Sequence, residues 1–103
     1  MNQKELLKII DDAKSSSLRH LDLRYNSLTE LPAEIGNLSS LEHLDLSYNS
    51  LSGLPAEIGN LRSLKHLHLD GNSITELPEE IATISKHNKN HLDKKQNTKM
   101  TEE

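Results

Sequence analysis

The chain repeats itself every 23 residues. LRHLDLRYNSLTELPAEIGNLSS starts at Leu18, LEHLDLSYNSLSGLPAEIGNLRS at Leu41 and LKHLHLDGNSITELPEEIATISK at Leu64. A period in the twenties admits few folds. One such unit cannot bury its own apolar face, so the units must stack into a solenoid. Equivalent residues then form columns, and the working part is a surface rather than a buried pocket.

The core must be aliphatic, because the 103 residues include no Phe, no Trp and only two Tyr. Stacked leucine layers meet that need where a compact globule of this size would be marginal. With no cysteine there is no disulfide framework, thiolate chemistry or Cys-based metal site. The net charge is −4. Residues 1–85 hold 7 Lys and Arg against 13 Asp and Glu, and residues 86–103 hold 5 against 3. General nucleic-acid binding needs a basic surface and is not expected. The tail lysines (Lys86, Lys89, Lys94, Lys95 and Lys99) are interrupted by acids and have no aromatics among them, which fits a solvated tail. No apolar run suits a signal peptide or a membrane span, so a soluble cytoplasmic protein without membrane contact is expected.

Residues 1–17 read as a capping helix. Asn2 and Glu5 have capping-box spacing, and Leu6, Leu7, Ile9, Ile10 and Ala13 form an apolar stripe. Such a short helix needs something to lie on, and the first repeat offers an open end. Residues 18–86 hold the three repeats. In each, alternation such as Leu21-Asp22-Leu23 predicts a short strand with leucines inward, and strands one period apart stack in parallel. Asn26, Asn49 and Asn72 sit where the chain leaves the sheet, and their amides can form a ladder between repeats. Leu-Pro pairs open the return segments. Ile35 and Leu38, like Ile58 and Leu61, are spaced for a 3₁₀ turn, with Gly36 and Gly59 expected to break it. A fourth repeat would start at position 87, but His87, Asn90 and Lys95 stand where Leu, Leu and Asn are needed, and only Leu92 keeps register. Residues 87–103 are therefore expected to be a polar, disordered tail. The third repeat would then expose Leu64, Leu67, Leu69, Ile74, Leu77, Ile81 and Ile84 beside an unpaired strand edge. Three outcomes are open: the tail folds over it through Leu92, two chains meet there as an end-to-end homodimer, or the chain is a truncated piece of a longer repeat protein; the last two are preferred, because one leucine cannot cover the patch.

The pattern L-x-x-L-x-L-x-x-N-x-L-x-x-L-P-x-x-I-x-x-L over residues 18–86 resembles the leucine-rich repeat. The Leu-Pro pair and the phrase LPAEIGNL are similar to the 23-residue intracellular type of plant Ras-group repeat proteins, bacterial repeat proteins and the repeat segment of Roco-type GTPases. The resemblance implies an α/β solenoid whose short parallel sheet lines a concave face, and a face of that kind usually binds another protein. The chain departs from the family in having three repeats where members usually have more, and in lacking a recognisable C-terminal cap. The alternative reading is a truncated N-terminal repeat fragment of a larger, Roco-like or other multi-repeat protein with no independent activity.

Equivalent positions stack about 4.8 Å apart, so the outward residues form a grid. His20, His43 and His66 make one row; Asp22, Asp45 and His68 the next; Arg24, Ser47 and Asp70 the third; and Tyr25, Tyr48 and Gly71 the rim. Tyr and Arg are common interface anchors, so the binding strip is expected at Arg24, Tyr25, His43, Asp45, Tyr48 and Asp70. Residues two apart on a strand share a face. His20, Asp22, His43, Asp45, His66 and His68 are therefore the candidates for a metal- or pH-responsive surface. Near-copied repeats produce such rows automatically, and a flat row is no tetrahedral cage, so no metal or other cofactor is expected. No nucleophile elbow, phosphate loop or dinucleotide turn is present, and an open sheet offers no oxyanion site. The expected function is a non-catalytic protein-interaction module, an adaptor in signalling.

Overall fold

The computed structural model describes residues 1–82 and the backbone of His91–Leu92. Helix α1 spans Gln3–Ser15. Asn2 Oδ1 accepts from Glu5 N at 2.8 Å, and Asn2 N donates to Glu5 Oε1 at 3.0 Å, completing the capping box. At the other end Leu18 N donates to Ala13 O and Ser17 N to Lys14 O, while Ser17 takes φ 52°. These are the paired bonds of a Schellman closure. Leu6, Ile10 and Ala13 are buried and Ile9 packs against them. Leu7, expected in that stripe, is left exposed. Gln3 Nε2 donates to Glu30 O at 3.1 Å, which ties the helix to the first repeat's return segment.

Strands β1 (His20–Asp22), β2 (His43–Asp45) and β3 (His66–His68) pair in parallel, with each residue opposite its repeat equivalent. Their central leucines, Leu21, Leu44 and Leu67, point into the core. A fourth strand, β4 (His91–Leu92), pairs with β3 and corrects two expectations. These two residues are a strand rather than disordered tail. Leu92 lies opposite Leu67 rather than Leu69, so β4 is offset by two residues from the 23-residue period. The edge of β3 is paired, and Leu64, Leu67, Leu69 and Ile74 are buried. Leu77 and Ile81 are half-buried. At the third repeat, β4 thus takes the edge that the leucine pattern left open. Ile84 and the rest of the expected tail, including its lysines, lie outside the described residues.

The return segments form 3₁₀ helices at Ala33–Asn37 and Ala56–Asn60, each entered from an extended proline. Gly36 and Gly59 lie inside these turns and do not end them. Their role is close approach. A Cβ at Gly36 would sit 2.6 Å from the backbone oxygen of Glu57, and one at Gly59 would sit 2.6 Å from Glu80 Cβ. Consecutive return segments nest only because neither has a side chain there.

The asparagines hold the opposite corner. Asn49 Oδ1 accepts from Asn26 N at 2.9 Å and Leu28 N at 3.0 Å, while Nδ2 donates to Leu23 O and Leu46 O. Asn72 repeats the pattern, accepting from Leu51 N and donating to Leu46 O and Leu69 O. Each amide thus bridges its own repeat to the one before. Asn26 has no preceding repeat, and its side chain makes no such bond among the described residues. Between sheet and return segments Leu44, Leu46, Leu51, Ile58, Leu61 and Leu64 are fully buried, each contributing about 1.5–3 kcal/mol of apolar burial.

Candidate functional site on the concave face

The strands alternate leucine inward and polar residue outward, which turns the outward rows into a continuous face. His20, His43 and His66 stack ring on ring. Centroids are 4.2 Å apart at 10° for the first pair and 4.5 Å apart at 14° for the second. His66 and His68 are parallel at 6.5 Å. The backbone of His91 continues the histidine row in register. Burial lowers the pKa of His43, and the charged forms of His20 and His66 on its two sides lower it further.

Arg24 is held by bonds from Nε and Nη2 to the two oxygens of Asp22, at 3.0 and 2.8 Å, with Asp45 at 3.7 Å. Hydrogen bonding from the Arg24 side chain and backbone pulls the Asp22 carboxyl below its usual range. Asp45 Oδ1 accepts from Ser47 N, just as Asp22 Oδ1 accepts from Arg24 N. Ser47 is buried and donates to Asp70 at 3.4 Å, not to an imidazole. A serine bonded in this way is not primed as a nucleophile. The carboxylates therefore brace the loops that leave the sheet, and Arg24 and Asp45 are less available to a partner than their rows imply.

Tyr25 and Tyr48 stack at 4.9 Å and 3°, and both are exposed, at 70% and 49%. Both adopt left-handed backbone, φ 58° and 59°, a feature that periodicity alone does not reveal. Gly71 occupies the same repeat position at φ 69°. The Tyr48 ring lies over it: a Cβ at Gly71 would sit 2.9 Å from Tyr48 Cε1. Glycine in the third repeat was the one signal in the sequence that this corner is left-handed.

Of the expected strip, the structure brings Tyr25 and Tyr48 together and seats His43 at the centre of the imidazole column. Arg24, Asp45 and Asp70 join a polar network beside them. The metal candidates do not converge. No group of three His, Asp or Glu among the described residues surrounds a common point. No helix among the described residues is long and apolar enough to cross a membrane.

Comparison with known proteins agrees with this architecture. The family model for the leucine-rich repeat region matches residues 2–100. A solved leucine-rich repeat protein of Leptospira interrogans is 47% identical and superposes with a TM-score of 0.65. The match covers 66% of this chain and 17% of that one. No curated protein matches. Repeat period, leucine layers, asparagine ladder and family match agree, and the chain belongs to the leucine-rich repeat family.

Proposed function

We propose that the concave face binds another protein through a strip centred on Tyr25, Tyr48 and His43, with Arg24, Asp45 and Asp70 beside them. The observation that carries this reading is the left-handed tyrosine pair. Gly71 supports the same corner without a side chain. Placing Tyr there costs about 1–3 kcal/mol in backbone strain, and stacking returns about 0.5–1.5 kcal/mol. Two large aromatics that the fold does not need, held rigid and exposed, suit the role of interface anchors. The cysteine-free composition fits a cytoplasmic adaptor, and no sequence motif supports catalysis.

The test is a pull-down with wild-type protein and with Tyr25→Gly/Tyr48→Gly, which copies the third repeat's solution. The variant should keep its circular dichroism spectrum and lose the partner. Equal capture by both proteins would overturn the assignment. A second reading is favoured by the length of the Leptospira protein, of which this chain matches 17%. There, these repeats would supply one stretch of a longer array and bind only as part of it.

A further inference from the structure

The histidine column is built in a way that the binding reading does not use. Three imidazoles lie face to face over two strand spacings, with His43 flanked on both sides. Such a stack is stable while the rings are neutral. Protonation puts like charges at ring-contact distance, and the charged rings gain more by turning into water than by staying stacked.

The surroundings do not supply enough compensation. Flanking the column on one side are Arg19, Glu42 and Lys65, two cations with one carboxylate between them. On the other side stand Asp22, Asp45 and His68. Asp22 is engaged by Arg24, and Asp45 by Ser47 N and the edge of Arg24. Asp70 completes the face one row further out and receives Ser47 Oγ. With histidines neutral, three cations (Arg19, Arg24, Lys65) meet four carboxylates (Asp22, Glu42, Asp45, Asp70). Four protonated histidines reverse that balance.

We propose that the His20–His43–His66 column is an acid-sensitive switch of the concave face. Neutral, it presents a flat aromatic strip on the same face as the stacked tyrosines, with two polar rows between them; protonated, it separates and turns the face cationic. A partner seated on the neutral strip would be released in mild acid. As regulation of binding this rests on the docking reading above. The switch itself is tested without a partner, so the two can fail separately.

The experiment is an NMR titration of the isolated chain from about pH 7.5 to about pH 5. Cross-strand contacts between the imidazole ring protons of His20, His43 and His66 should be present at the upper end and lost at the lower. The wild-type His43 titration curve should be broader than a single-site curve, because its neighbours repel its charged form. His20→Gln and His66→Gln should each narrow that curve. Positions 20 and 66 face outward, and a circular dichroism melt checks that both variants fold. Ring contacts that persist in acid, or single-site curves in wild type that neither variant changes, would overturn the proposal.

Discussion

Asn49 shows how much one side chain carries in a repeat stack. It bonds backbone groups of Leu23, Asn26, Leu28, Leu46 and Ser47 in a buried corner. Asn49→Ala takes this partner from Asn26 N, Leu28 N and Leu23 O, while Leu46 O keeps Asn72 Nδ2 and Ser47 O keeps Tyr25 N. It should cost about 2–4 kcal/mol in urea denaturation, whereas Asn26→Ala, which removes no such bridge, should cost under about 1 kcal/mol. Gly71 makes a complementary case. Gly71→Ala must hold a Cβ at φ 69° and push against Tyr48. A loss of about 1–3 kcal/mol and a displaced Tyr48 ring, read from its NMR shifts, are expected. The ladder asparagines were legible as a column at one period. The left-handed tyrosines were legible only through Gly71 at the same phase, because φ is a property of the corner and Tyr by itself argues against it.

At the scale of elements, the return segments and the capping helix obey different rules. The 3₁₀ turns approach so closely that Gly36 has the Glu57 backbone oxygen at 2.6 Å from a hypothetical Cβ. A backbone atom has little room to retreat, so Gly36→Ala should separate the two turns and lower the melting temperature. Gly53→Ala should be close to neutral, since its Cβ would meet only Glu76 O, at 3.6 Å. Comparing the two melts checks the distinction. The sequence marks both residues simply as glycine in a turn; the separation of neighbouring repeats decides which one is required. The helix start was readable from Asn2 and Glu5. The exposure of Leu7 was not, because the width of the buried stripe depends on the angle at which α1 meets the first repeat.

For the whole molecule, the imidazole column couples stability to pH. His43 has a lowered pKa when folded, so the unfolded chain binds the proton more tightly. Its contribution is fully present above its ordinary value of 6.5 and is lost as pH falls through the lower folded value. Asp22 is also lowered from 3.8, and its contribution disappears only in stronger acid. The urea midpoint should therefore fall between about pH 7 and about pH 5, and His43→Gln should flatten that part of the curve. A midpoint independent of pH over this range would remove the linkage. Of the polar tail only His91 and Leu92 are described, and they form a strand against β3 that no leucine periodicity announces.

The solenoid, the parallel sheet, the inward leucines, the asparagine ladder and the membership of each outward row were all written in the residue order. All of these follow from a fixed period, since the same residue at the same phase must meet its own copy. Tertiary structure alone decided what the outward rows do. The histidines stack instead of converging, Arg24 is claimed by Asp22, the tyrosines sit in left-handed corners, and β4 shifts by two residues to reach β3. Periodicity specifies which residues are neighbours. Rotamers, charge pairing and loop length specify how neighbours touch, and these are settled by competing interactions of about 1 kcal/mol that only the assembled stack resolves.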